Sequence, residues 1–127
     1  MSQLPFFTRT KSANEIIQGL EEGTRNSLEI LQRLNGSLVE CTERLNRNST
    51  KLEKGGLSER DQTRIKAVNE KFRNTIAMLN IKIMQLLENI ELNDKRIAEL
   101  RAIIKIEQAS QAISKDVVDT FNYAASA

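Results

Sequence analysis

The stretch that decides the fold is residues 76–104, IAMLNIKIMQLLENIELNDKRIAELRAII. Isoleucine recurs there at every seventh residue, and leucine occupies most positions three residues after each isoleucine. This is the heptad pattern of a coiled-coil helix, with isoleucine at position a and leucine at position d, a combination that favours parallel two-stranded packing. The a series is Ile76, Ile83, Ile90, Ile97 and Ile104, and the d series, which Ile65 and Phe72 extend upstream, is Leu79, Leu86, Asn93, Leu100 and Glu107.

Asn93 interrupts the apolar d series. A single polar residue in a coiled-coil seam can fix the register and the number of helices at some cost in stability. The alternative interpretation is that Asn93 lies beside a partly open helix end. The sequence leaves both interpretations open.

The first half of the chain carries a second heptad pattern, which begins at Ile17. Its a series is Ile17, Thr24, Leu31, Leu38, Leu45 and Leu52, and its d series is Leu20, Ser27, Leu34, Cys41 and Asn48. The phase continues through Gly36, which favours one helix, although Asn35-Gly36 is also a turn signal that allows a break into two.

Gly55-Gly56 is the strongest break in the chain, and no glycine or proline follows it. Ser58, with Asp61 three residues later, marks the start of a second helix that runs to about Asp119. We therefore predict an all-α fold, a long antiparallel helical hairpin of two helices, or three if Gly36 breaks the first, with coiled-coil packing. The predicted parts are a flexible arm (1–13), a hairpin domain (14–119, with its turn at 54–58) and a tail (120–127).

The composition argues against an enzyme. The chain has no histidine, five glycines, one proline and one cysteine, so it has no histidine-based catalytic group and no disulfide within the chain. Cys41 falls at a d position, as a seam residue would. We expect no catalytic residues, no metal site and no cofactor.

The charges are nearly balanced, with 19 basic and 17 acidic residues and a net charge of +2. A nucleic-acid-binding face is usually denser in cations, so we do not expect nucleic acid as a partner. No apolar run reaches the length of a transmembrane helix, and the first residues lack the features of a signal peptide. Cytoplasmic location is the default expectation, with secretion without a signal peptide or assembly into a larger particle left open.

A second apolar stripe, Met78, Ile81, Met84 and Leu87, accompanies the seam of the second helix. A hairpin centred on Gly55-Gly56 places residue i near residue 111 minus i, so the first helix should end before it covers Ile97 and the residues after it. The uncovered residues would then bind another chain, with the alternative that residues 105–127 fold back over them. The predicted interface comprises Ile76, Leu79, Ile83, Leu86, Ile90, Asn93, Ile97, Leu100, Ile103, Ile104 and Ile106, with Phe6 and Phe7 as a possible arm contact.

These observations predict a non-enzymatic helical assembly protein that binds protein partners and forms a homo-oligomer, a dimer or larger. A four-helix bundle built from two hairpins is the simplest such assembly. The alternative is a chaperone or adaptor that holds an amphipathic helix of a partner. A nucleic-acid or membrane-surface binder is a third, weaker hypothesis.

Overall fold

Two long helices pack against each other in the computed structural model, which describes the backbone of residues 6–126 and the side chains of residues 12–126. Helix α1 spans Phe6–Lys54 and helix α2 spans Glu59–Ser126. Between residues 6 and 126, only residues 55–58 lie outside a helix. The predicted all-α helical hairpin is confirmed.

The conformation of the turn between the helices, residues 55–58, follows from its residue types. Gly55 and Gly56 have φ angles of 71° and 79°, a region that glycine enters without a steric penalty. The backbone N–H of Asp61 donates to Ser58 Oγ at 3.1 Å, and the N–H of Gln62 donates to the Ser58 carbonyl at 3.0 Å. Ser58 is therefore the N-cap of α2, as the sequence predicts.

Helix α1 passes through Gly36 without a break, so the three-helix alternative is wrong. The seam residues on either side of the glycine, Leu34 and Leu38, are both partly buried. The apolar phase therefore outweighs the turn preference of Asn35-Gly36, because an interior glycine costs a helix only about 1 kcal/mol.

Both outer helix ends extend beyond the predicted boundaries. Helix α1 begins at Phe6, so Ser12 lies inside it and does not cap it, and α2 continues past Asp119 to Ser126. Serine and threonine cost only a few tenths of a kcal/mol each in a helix, too little to stop α1 at residue 14. Because α2 is continuous, residues 105–126 do not fold back. The first five residues of the predicted arm lie outside the described part of the chain.

The chain divides into two compact units. The turn unit consists of residues 25–90, and its partly buried side chains fall at the predicted a and d positions of both helices. The terminal unit comprises residues 6–24 and 91–126 as far as they are described. In it Ile17, Ile97 and Leu100 form a buried cluster, against which Leu20 and Ile104 pack.

The register of the terminal unit differs from the predicted one. Asn93 donates to Thr24 Oγ1 at 3.3 Å, so facing residue numbers add up to about 117 and not 111. Leu20 accordingly packs against the Ile97–Leu100 cluster and not near Glu91. The reason is that antiparallel heptads pair position a with position d, which allows sums of 110, 117 or 124 but no value between them. The hydrogen bond between Asn93 and Thr24 shows that 117 is the sum that the terminal unit adopts.

Candidate functional site

Five predicted interface residues lie in the seam of the turn unit. Each is partly buried and falls at an a or d position of α2. These side chains contribute to the hairpin itself, which is how the stability of an amphipathic helix usually arises. The five are Ile76, Leu79, Ile83, Leu86 and Ile90.

Four more lie in the seam of the terminal unit, and for three of them, Ile97, Leu100 and Ile104, the expectation that they lack a partner within the chain is wrong. Ile97 is 7% exposed and Leu100 is 6% exposed, both beside Ile17, and Ile104 packs against the same cluster. Ile17 and Leu20 of α1 cover them because the register differs by six residues from the predicted one. Asn93 is also covered, and its hydrogen bond to Thr24 shows a seam position and not an open helix end.

Ile103 and Ile106 are the two predicted interface residues that remain exposed. Ile103 lies three residues after Leu100, and Ile106 lies two residues after Ile104, so neither residue occupies an a or d position. Phe6 and Phe7 lie in the first turn of α1, but their side chains are outside the described part of the structure.

The second apolar stripe of the turn unit is exposed along its whole length. Its four members are Met78, Ile81, Met84 and Leu87, and each has half or more of its side chain accessible. Single exposed apolar side chains are ordinary, but a contiguous apolar set is typical of an interaction surface. The turn unit therefore carries both a closed seam and an open apolar stripe.

The last part of α2, residues 108–126, is exposed at every position, and we call it the C-terminal section. It includes Phe121, 76% exposed, and Tyr123, 79% exposed, the only tyrosine of the chain. A shallow groove runs along one side of this section. The residues that line it are Ile113, Asp116, Val117, Thr120, Phe121 and Ala124.

The charged side chains near the seam form pairs on the surface. In the terminal unit Arg101 bonds Glu21 across the two helices at 2.9 Å. In the turn unit Arg44 bonds Glu40 at 2.8 Å within α1. Both pairs are largely exposed, so each contributes at most about 1 kcal/mol to stability.

Asn69 is a residue that the sequence reasoning missed. It is 2% exposed, more buried than any apolar side chain of the described residues, and its Oδ1 accepts no hydrogen bond from the protein. Asn69 lies seven residues before Ile76, so extending the a series upstream would have found it. A buried amide oxygen without a partner costs about 1–3 kcal/mol.

Among residues 12–126, no group of histidine, cysteine, aspartate or glutamate side chains is placed to hold a metal ion. In the same part of the chain, neither helix has a segment both long and apolar enough to cross a lipid bilayer. Comparison with protein-family models, with characterised proteins and with solved structures gives no match to this chain.

Proposed function

We propose that this chain is a non-enzymatic helical assembly protein, which self-associates and binds protein partners through the apolar surfaces of α2 that its own hairpin leaves open. One observation carries the proposal. The a/d seam is closed within the chain, yet α2 still exposes a row of large apolar residues outside that seam.

The size of this exposed surface supports association. Met78, Ile81, Met84 and Leu87 stand on one helix of the turn unit, and each has half or more of its surface accessible. Burying about 300 Å² of apolar surface contributes roughly 7 kcal/mol at 25 cal/mol per Å², before the cost of bringing two molecules together. Because residues spaced by three are rotated by about 60° at each step, the row winds about half-way around α2 and one partner helix covers only part of it, which supports a weak or moderate complex.

The alternative function is a chaperone or adaptor that shields an amphipathic helix of a partner. Exposed methionines favour it to some extent, because the flexible thioether side chain adapts to helices of different shape. Met78 and Met84 both belong to the exposed stripe. The two functions differ in what the isolated chain does: an assembly protein forms a defined oligomer by itself, whereas a chaperone stays small until its client is present.

The experiment is a light-scattering measurement of mass over a concentration series, made on the wild type and on two variants. Ile81→Asp places a charge in the exposed stripe, and Asn80→Asp adds the same charge at the neighbouring exposed position, outside the stripe. We expect the wild type and Asn80→Asp to associate alike and Ile81→Asp to associate less.

Two results would contradict the proposal. One is a wild-type chain that is monomeric at all concentrations and that captures no protein from its native source. The other is equal association of Ile81→Asp, Asn80→Asp and the wild type, together with equal association of variants of the C-terminal section. A monomer that captures one dominant protein, and loses it in Ile81→Asp, would support the chaperone alternative instead.

A further inference from the structure

We infer that the groove of the C-terminal section is occupied by the same groove of a second copy, with the two helices antiparallel and Val117 on the two-fold axis. The inference rests on the proposed function and specifies one partner and one surface for it. It does not involve the stripe of the turn unit.

The first argument is the shape of the face. Ile113, Val117 and Phe121 are spaced by four residues, so they stand on one side of the helix, and the small side chain of Ala124 continues that side. All of them are exposed. The face therefore offers apolar ridges separated by small residues, which suits close packing against another helix.

The second argument is the symmetry of the residue order. Ile113 lies four residues before Val117, and Phe121 lies four residues after it. When a second copy is placed antiparallel, Val117 meets Val117, and each Ile113 meets the Phe121 of the other copy. A two-fold interface requires such self-complementarity, because the same patch must serve on both subunits.

The third argument is the placement of charge. Lys115 and Asp119 are each two residues from Val117, which places them about 200° around the helix, on its far side. They are four residues apart, so their opposite charges partly compensate each other on that side of the helix. Asp116 is the only charged residue lining the groove. A nearly uncharged face favours an apolar helix as its occupant over a nucleic acid or a charged lipid surface.

The expected interface is small. Ile113, Val117 and Phe121 are 65%, 62% and 76% exposed, so burying them in both copies removes on the order of 700 Å² of surface, of which the two aromatic rings contribute the largest part. This is below the area of about 1,000–1,200 Å² that a stable specific interface buries. We therefore expect a weak dimer, with a dissociation constant in the range of roughly a hundred micromolar to one millimolar.

A cross-linking experiment on the full chain tests whether Val117 lies on the two-fold axis. Cys41 is the only native cysteine, so Cys41→Ala gives a background without thiols. In that background Val117→Cys places the thiols of two copies against each other, whereas Asn122→Cys places them on the far side of the helix, where disulfide geometry is not reached. We expect at least five times more disulfide-linked dimer from Val117→Cys than from Asn122→Cys under mild oxidation. Equal yields would overturn the inference.

Association measurements on three variants test the face without cross-linking. Val117→Asp should weaken self-association at least tenfold, while Asn122→Asp, which adds the same charge on the far side, should leave it unchanged. Asp116→Asn should strengthen it two- to fivefold, since the antiparallel pair brings both Asp116 carboxylates to the same side within about one helical turn. Circular dichroism checks that each variant keeps its helices.

The outcomes separate this inference from the proposed function. If the wild type associates and Val117→Asp associates equally well, the inference is overturned and the proposed function stands. If the wild type is monomeric and Val117→Asp loses the capture of a different protein, the groove binds that protein and the inference is again overturned. A wild type that is monomeric at all concentrations and binds no protein overturns both.

Discussion

Replacing Asn69 with leucine should stabilise the protein, although it removes a polar residue that lies at the centre of the seam. Asn69 is 2% exposed, and its Oδ1 accepts no hydrogen bond from the protein. Removing an unpaired buried acceptor recovers about 1–3 kcal/mol, and a buried leucine contributes about 1.5–3 kcal/mol. Fitting the larger side chain costs about 1–3 kcal/mol. The net expectation for Asn69→Leu is therefore a gain of about 1–3 kcal/mol in the free energy of unfolding.

The assay is urea unfolding followed by the helical circular dichroism signal, at a fixed and low protein concentration so that association does not contribute. Asn80→Leu is the matched control, because it makes the same substitution at an exposed position of the same helix. Its effect should stay within about 0.5 kcal/mol. If Asn69→Leu is less stable than the wild type with an unchanged m-value, Asn69 makes a favourable interaction and the reasoning about its cost is refuted.

Three further predictions concern the seam and the turn. Ile83→Asp should lower the free energy of unfolding by about 2–4 kcal/mol, seen as a lower urea midpoint, because a charge is placed in the seam; an unchanged midpoint would contradict the seam position. Gly36→Ala should raise stability by about 0.5–1 kcal/mol, since nothing lies within 4 Å of the added carbon, whereas Gly55→Ala should lower it by about 1–2 kcal/mol because its φ is 71°. Thermal unfolding measures both variants, and a change of stability in the same direction in Gly36→Ala and Gly55→Ala would refute this prediction. Asn93→Leu should raise the melting temperature and broaden the set of species in size-exclusion chromatography, because it removes a polar register constraint; a less stable single species would show that the bond to Thr24 matters more.

The seam of each helix could be predicted from the sequence because its period is strict. Every residue that the sequence assigns to an a or d position of α1, from Ile17 to Leu52, is partly or fully buried. The same holds for α2 from Ile65 to Glu107. A heptad repeat fixes which face of a helix is buried, whatever the neighbouring helix is, and this explains why the prediction holds.

The register between the helices could not be predicted as well, because it depends on the geometry of the turn. Counting from Gly55-Gly56 gives a sum of 111, but pairing of a with d positions allows sums of 110 and 117, and the bond between Asn93 and Thr24 shows that the sum is 117. This shift brings Ile17 and Leu20 of α1 against Ile97 and Leu100. As a consequence, the exposed apolar residues of this part of α2 begin further along the helix than predicted, at Ile103, Ile106 and the C-terminal section.

The outer helix ends could not be predicted from the sequence either, because no strong break marks them and their positions depend on small differences in propensity. Thr8, Thr10 and Ser12 are modest helix formers, and their combined cost is close to what a few additional backbone hydrogen bonds contribute.

Asn69 was missed for another reason. Because Asn69 is polar, the apolar a series ends at Ile76 when it is followed towards the N-terminus. Only the d-position residues Ile65 and Phe72 then indicate that the seam continues upstream.

The central claim is that the seam is closed within one chain while the C-terminal section of α2 remains available for association. Hydrogen exchange of the full chain, measured at low and at high protein concentration, tests it most directly. We predict that amides of residues 76–100 are protected at both concentrations, and that amides of residues 108–126 exchange fast at low concentration and at least tenfold more slowly at high concentration. Equal protection of residues 108–126 at both concentrations, whether fast or slow, would contradict the claim.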